Sequence, residues 1–171
     1  MAGATWVYGG TRRLGHLAFR TTTSHNGGMN GYQVFETGDF DQWAGRIGGI
    51  LPEAQMPGRL FVDRELDLTF FGLTVNSREP GEGAHFWHTH SHLEELYLFL
   101  TGTGAMGLDD DVVSVGPGTA VRVDPGVWRT WRAATTSAGP LTWICIRGGN
   151  GPLSSTGDKA ERDFDRPQPK A

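Results

Sequence analysis

The stretch that decides the fold is AHFWHTHSHLEELYLFLTG, residues 84–102. It holds four of the chain's six histidines within eight positions, followed by two adjacent glutamates and an apolar run that ends at glycine. Alternate residues of a strand point to the same face, so His88 and His90 can reach one ion together. A sharp turn through residues 91–93 would return Glu95 beside them. Two imidazoles and one carboxylate that leave coordination positions open suit a divalent metal such as Fe, Zn, Mn, Ni or Co.

The chain around this stretch indicates an all-β fold. From residue 60 onward, short runs rich in β-branched and aromatic residues alternate with turn signals such as EPGEG, GPG and DPG. Punctuation at about ten-residue intervals is typical of a sandwich or barrel. The 26 glycines and 9 prolines are many for a helical protein, because glycine is costly inside helices. The LDDDVV step predicts a hairpin.

Composition excludes several classes of protein. A length of 171 residues favours one domain, and a net charge of -4 without a basic stripe argues against nucleic-acid binding. No apolar run approaches the roughly 20 residues that cross a bilayer, and the first residues lack a signal-peptide pattern. We therefore expect a cytoplasmic protein without a membrane partner. The single cysteine, Cys145, lies in an apolar run and is expected to be buried and inert.

Three segments can be distinguished along the chain. Residues 1–59 are interpreted as an N-terminal extension that packs on the barrel, with a short helix in DFDQWAGRIGG that is capped near Asp39 or Asp41. Residues 60–147 form the β-barrel. Residues 148–171 are polar and rich in Gly, Pro and charge, so we expect an extended or mobile surface segment.

Two motifs in residues 60–147 resemble those of the cupin superfamily. The spacing H-x-H-x4-E-x6-G over His88, His90, Glu95 and Gly102 is similar to the first cupin motif, except that its leading glycine falls one place late, at Gly83. GTAVRVDPGVWRTWRA, residues 118–133, is similar to the second motif. The resemblance implies a single-domain jelly-roll barrel with His88, His90 and Glu95 as metal ligands.

The second motif departs from the cupin pattern at three positions. Asp124 stands where proline is usual, Arg129 stands in place of the fourth ligand histidine, and Ala133 replaces asparagine. A guanidinium cannot ligate a cation, although it pairs well with a carboxylate. Arg129 could therefore anchor an anionic substrate beside the metal, or it could pair with Glu95 and leave the site metal-free.

The choice of Glu95 over Glu94 follows from spacing. Glu94 satisfies a shorter version of the first motif, but Glu95 has the correct distance to Gly102 and shares strand parity with Tyr97 and Phe99. Glu94 is then expected at the rim of the site.

The same parity predicts the lining of a pocket. Tyr97 and Phe99 point inward with Glu95, and Arg129 and Trp131 share one face of VWRTWRA, a lining that suits a planar or aromatic organic acid. The alternative is that these rings are barrel core. His92 is a candidate extra ligand or proton carrier. The candidate catalytic residues are Arg129, Tyr97 and His92, and the candidate substrate-binding residues are Arg129, Trp131, Phe99 and Tyr97.

The sequence favours a metal-dependent cupin enzyme acting on a small anionic or aromatic organic substrate, of oxygenase or isomerase/lyase type. A non-catalytic small-molecule binder and a metal-free, epimerase-like acid/base enzyme that uses a histidine are the alternatives.

Leu96, Leu98 and Leu100 give the strand that carries Glu95 a second apolar face. We expect this face to pair in a homodimer, or to be covered by the N-terminal 59 residues.

Overall fold

The computed structural model describes residues 31–49 and 55–170. Within these ranges the chain forms antiparallel strands, one short α-helix, α1 (Val62–Glu65), and two 3-10 helices, Phe40–Gly45 and Leu153–Ser155. None of the described helices has the length and apolar character needed to span a membrane. The strands are β1 (Ile47–Gly48), β2 (Met56–Pro57), β3 (Arg59–Phe61), β4 (Phe71–Arg78), β5 (Trp87–His90), β6 (Glu94–Thr101), β7 (Gly104–Leu108), β8 (Asp111–Val115), β9 (Ala120–Val123), β10 (Arg129–Ala133), β11 (Leu141–Gly148) and β12 (Ala160–Asp163).

Two five-stranded antiparallel sheets make up the barrel. The first has the strand order β12-β5-β10-β7-β8 and the second has the order β3-β4-β11-β6-β9, while β1 and β2 form a separate two-stranded ribbon. Consecutive strands β5 and β6 belong to different sheets, so the chain crosses the barrel between His90 and Glu94. The predicted all-β jelly-roll barrel is confirmed, and the predicted hairpin is the β7–β8 pair.

The core lies between the two sheets. Its largest fully buried side chains come from strands of both sheets: Tyr97, Phe99, Met106, Trp131, Leu141 and Trp143. On β6 the odd positions are buried and the even ones exposed, as strand parity predicts for Glu95, Tyr97 and Phe99. Each large aromatic side chain buried here stabilises the fold by roughly 1.5–3 kcal/mol relative to exposure.

The outer face of the second sheet is covered in part by the N-terminal segment. Trp43, from the 3-10 helix at residues 40–45, packs with Val62 of α1 and Val75 of β4 in a second apolar cluster. This helix begins after Asp39, but no side-chain hydrogen bond caps it. Further along the same face Leu96 and Leu98 are 40% and 39% exposed. The N-terminal cover therefore reaches β4 and β11 but leaves an apolar stripe on β6.

The polar tail returns to the barrel and adds a strand. β12 pairs antiparallel with β5, with Ala160 opposite His90 and Arg162 opposite His88. Beyond β12, the indole Nε1 of Trp87 donates to the carbonyl of Pro167 at 3.0 Å. Part of the tail is therefore an edge strand of the first sheet and lies beside the histidines.

Candidate metal centre

His88, His90 and Glu95 converge inside the barrel. The two histidines lie on β5 of the first sheet and the glutamate on β6 of the second, and one ligand atom from each lies within 4.8 Å of the others. His88 Nε2 is 3.6 Å from Glu95 Oε2, and His90 Nε2 is 3.5 Å from Oε1. All three residues are buried. The turn through residues 91–93 brings the carboxylate back to the imidazoles, as the spacing predicts.

The ring of His90 is oriented by the C-terminal tail. His90 Nδ1 lies 2.6 Å from Asp158 Oδ2, and Asp158 Oδ1 accepts the backbone N–H of His92 at 2.9 Å. Burial would raise the pKa of Asp158, but these hydrogen bonds hold it below its ordinary value. The Asp158 contact at Nδ1 fixes the orientation of the ring and places Nε2 toward Glu95 at the centre of the site. Carboxylates orient metal-binding histidines in the same way.

Burial keeps the ring of His88 neutral at pH 7. Burial lowers its pKa to about 4, against the opposing effect of Glu95. Its ring packs edge-on against Trp131, with ring centroids 5.6 Å apart. A neutral imidazole keeps a lone pair at pH 7, which a metal ligand requires.

Glu95 is held ionised by its neighbours. Its Oε2 accepts hydrogen bonds from Arg129 Nε at 2.9 Å and from the Tyr97 hydroxyl at 2.6 Å, and Arg129 Nη2 lies 2.8 Å away. Burial would raise the pKa of Glu95, but hydrogen bonds from His88 and His90 and the charge of Arg129 hold it well below its usual range. Burial and the Glu95 charge raise the pKa of Tyr97 well above its ordinary value, so the hydroxyl stays a donor.

The two oxygens of Glu95 have different environments. Oε2 contacts Arg129 and Tyr97, whereas Oε1 lies 3.6 Å from the Cys145 Sγ and 3.5 Å from His90 Nε2. Burial raises the pKa of Cys145 well above its usual value, so this thiol is protonated. Oε1 is therefore the oxygen available to an ion.

The donor set fits a divalent metal. Two ligand atoms about 2.1 Å from one ion and at a tetrahedral angle lie about 3.4 Å apart, close to the 3.5 Å between His90 Nε2 and Glu95 Oε1. Two imidazoles and one carboxylate oxygen are ligands that Fe, Zn, Mn, Ni and Co accept. The residues present could hold such an ion while Arg129 stays bonded to the other carboxylate oxygen.

Arg129 is completely buried and turned away from the cavity. Besides its contacts with Glu95, its Nη1 donates to the backbone carbonyl of Val127 at 2.8 Å. The sequence left two roles open for Arg129, a contact to an anionic substrate and an ion pair with Glu95. In the structure Arg129 forms the ion pair with Glu95. A role for Arg129 in holding a substrate stays a prediction.

The predicted pocket residues divide into two groups. Tyr97 and Trp131 line a cavity beside the histidines. Phe99 is fully buried and packs on Trp143 with ring centroids 5.9 Å apart, as the core alternative expects. His92 is exposed, and its Nδ1 lies 2.7 Å from Ser91 Oγ, so it is outside the cavity.

Glu94 and the other residues near the histidine-rich stretch lie at the periphery of the site. Glu94 is exposed and pairs with Arg122 at 3.5 Å, in agreement with a rim position. His85 is exposed, and Trp128 is half-buried. His16 and His25 fall outside the described residues.

The cavity is also lined by three arginines that the sequence analysis did not predict: Arg59 of β3, Arg147 of β11 and Arg162 of β12. Arg147 pairs with Asp63 at 2.8 Å. None of the three belongs to a recognisable motif, and they meet only because β3, β11 and β12 come together. The volume open to the centres of water molecules is about 60 Å³, and one water needs roughly 10–15 Å³ on this measure, so the cavity has room for a small ligand.

Comparison with known proteins gives the family. The Cupin domain family matches residues 77–147. A cupin protein from Bacteroides fragilis has 30% sequence identity and a TM-score of 0.52, with 54% of this chain and 77% of that chain covered. A cupin 2 domain-containing protein from Halorhodospira halophila has 21% identity, coverage of 55% and 66%, and a TM-score of 0.45. A structure of the DMSP lyases RdDddP and RnDddQII has 22% identity, coverage of 53% and 43%, and a TM-score of 0.43. No curated protein matches.

Proposed function

We propose that this chain, which belongs to the cupin family, is a metal-dependent enzyme that acts on a small organic substrate. The observation that carries the proposal is the convergence of His88, His90 and Glu95 at a buried position that opens to a cavity. Cupins support many reactions, so the fold alone assigns none. The proposal depends on the site.

The side chains around the site have distinct roles in this proposal. His88 and His90 offer ring nitrogens to the ion, and Arg129 with Tyr97 keeps Glu95 ionised and leaves its Oε1 to face the imidazoles. A bound divalent ion would supply Lewis-acid polarisation of the substrate, or oxygen activation if the ion were iron. Both the isomerase/lyase type and the oxygenase type of reaction fit these ligands.

In this proposal the aromatic residues of the cavity wall bind the substrate and exclude water from it. Trp131 and Trp143 are in contact, with ring centroids 5.3 Å apart and planes tilted by 60°, and the ring of Tyr97 lies 6.1 Å from that of Trp131. Aromatic walls pack against a planar ligand and displace water from it, which strengthens polar contacts inside the cavity.

A metal-free acid/base enzyme is the second candidate, and the Arg129–Glu95 ion pair favours it. Arg129 balances the charge of Glu95, so the carboxylate does not need a metal ion as its counter-charge. His88, which is neutral at pH 7, would then act as the proton acceptor. A non-catalytic binder would use the same cavity without turnover.

A turnover assay separates these functions. Purified protein, chelated protein and chelated protein reloaded with Fe²⁺, Zn²⁺, Mn²⁺, Ni²⁺ or Co²⁺ are incubated with a panel of small organic acids, and the products are followed by mass spectrometry. We expect turnover that is lost on chelation, returns with one ion, and is abolished by His88→Ala.

The matched control for that assay is His92→Ala, because His92 is an exposed histidine of the same stretch outside the cavity. It should retain turnover. Activity that survives chelation but not His88→Ala would identify the metal-free enzyme. The absence of turnover in every form would favour the binder.

A further inference from the structure

We infer that the ligand of the cavity is a small carboxylic acid and that Arg59, not Arg129, binds its carboxylate. This rests on the proposed function in that the acid is taken to be the substrate of the same site. Arg59 is absent from both cupin-like motifs and lies on β3, at the edge of the second sheet. Its side chain nevertheless lines the cavity together with His88 and Glu95.

No carboxylate of residues 31–49 and 55–170 lies within ion-pair distance of Arg59. Its Nε donates to Asn76 Oδ1 at 3.0 Å, and its guanidinium lies 5.5 Å from the ring centroid of Trp131. These contacts fix the plane of the guanidinium but supply no negative charge. Burial lowers the pKa of Arg59, against the opposing effects of Cys145, Tyr97 and Glu95.

The other charges around the cavity do not neutralise Arg59. Glu95 is bonded directly to Arg129, and the charge of Arg147 is matched by Asp63 at 2.8 Å. Arg162, which is exposed and stacks on Phe86 at 5.2 Å, adds a positive charge at the edge. Among the described arginines that line the cavity, Arg59 and Arg162 therefore have no carboxylate within ion-pair distance, and Arg59 is the less exposed of the two.

The hydrogen-bonding groups of the cavity lead to the same ligand chemistry. Arg59 lines the cavity, and its outer N–H groups are donors. A ligand that satisfies them must present acceptors, and a guanidinium matches the two oxygens of a carboxylate in a fork geometry. The small volume favours a short acid over a phosphorylated sugar.

A binding experiment on metal-free protein tests this inference separately from the metal. Chelated protein is titrated with propionate, lactate and benzoate and with the corresponding amides, with tryptophan fluorescence as the readout. The amides have nearly the same shape but no charge. We expect at least one acid to bind at least tenfold more tightly than its amide.

Variants assign that discrimination to Arg59. Arg59→Gln should weaken acid binding at least tenfold and leave amide binding unchanged, and Arg59→Lys, which keeps the charge without the fork, should weaken it less. Arg122→Gln, at an exposed ion pair on the rim, should bind as the unmodified protein does. Thermal unfolding of each variant checks folding, and Arg59→Lys keeps the test decisive if Arg59→Gln does not fold.

Four results would overturn the inference: equal binding of acid and amide, binding of none of the acids, tighter binding of inorganic phosphate than of the acids, or normal acid binding by Arg59→Gln. The titration is repeated on His88→Ala. Retained discrimination in this variant would show that the carboxylate site does not depend on the metal ligands. If the unmodified protein keeps the discrimination but takes up no divalent ion, the proposed function is contradicted and the carboxylate site stands.

Discussion

At the position of the fourth histidine in the second cupin motif this chain has Arg129, and that exchange changes the electrostatics of the site. The guanidinium takes one oxygen of Glu95 and leaves the other to face the two imidazoles. A buried ion pair contributes little relative to an apolar pair, but removal of one partner leaves the other charge buried and unpaired.

Arg129→Met should destabilise the chelated protein by about 3–5 kcal/mol, because Glu95 loses its cationic partner. Urea-induced unfolding measures this loss. A divalent ion should then raise the melting temperature of the variant more than that of the unmodified protein, since the ion supplies the missing positive charge. Arg122→Gln, at an exposed pair, should cost less than about 1 kcal/mol. An Arg129→Met protein with undiminished stability would contradict this account of the ion pair.

The neutral state of His88 gives the apo protein a specific pH dependence. Its pKa is about 4 in the folded chain and 6.5 in the ordinary unfolded chain. Between these values the unfolded chain binds a proton that the folded chain does not, so stability falls as pH falls from 6.5 to 4. The loss from this residue is about 3 kcal/mol. Unfolding free energies of chelated protein and of His88→Gln over this range should diverge, with the steeper slope in the unmodified protein. Parallel curves would contradict the assignment.

At the scale of the elements, the sequence predicted the strands whose side chains alternate and missed the contacts that depend on strand pairing. Parity on β6 placed Glu95 and Tyr97 inward, and the spacing to His88 placed the metal ligands together. The pairing of β12 with β5 could not be predicted, because β12 has the composition of a polar tail. Its position depends on long-range contacts such as that of Asp158 with His90. Arg59 could not be predicted as a cavity residue either, because its position also depends on long-range strand pairing.

The glycine that closes the first motif has a physical function in the turn between β6 and β7. Gly102 has φ +69°, and a Cβ there would lie 2.4 Å from the carbonyl oxygen of Pro140. Gly102→Ala should therefore destabilise the fold by more than the roughly 1 kcal/mol that a positive φ costs alone. Gly118→Ala is the matched control, because Gly118 has φ +85° but no atom within 4 Å of the added Cβ. Denaturant unfolding compares the two, and an equal loss would contradict a role for the Pro140 contact.

At the scale of the whole molecule, the uncovered part of the second sheet bears on assembly. Ile146, which is 37% exposed, pairs with Leu96, and Leu98 continues the same apolar stripe. We propose that this stripe pairs two copies of the chain, because apolar side chains that stay exposed in one copy can be buried by another.

Light scattering after size-exclusion chromatography should give twice the chain mass of 18.6 kDa, and Leu98→Glu should give a single chain mass. Leu98 points away from the cavity, so ligand binding should be unaffected in that variant. A single chain mass for the unmodified protein would contradict the homodimer and leave the N-terminal segment as the sole cover.

The central claim is that His88, His90 and Glu95 bind one divalent ion together, and elemental analysis of the purified protein tests it most directly. The account predicts about one divalent ion per chain, with loss of the ion in His88→Ala and Glu95→Gln and full occupancy in His85→Ala, whose histidine is exposed and outside the site. A protein that carries no ion and takes up none of the five metals when they are supplied, or one whose bound ion is indifferent to replacement of His88, would contradict it.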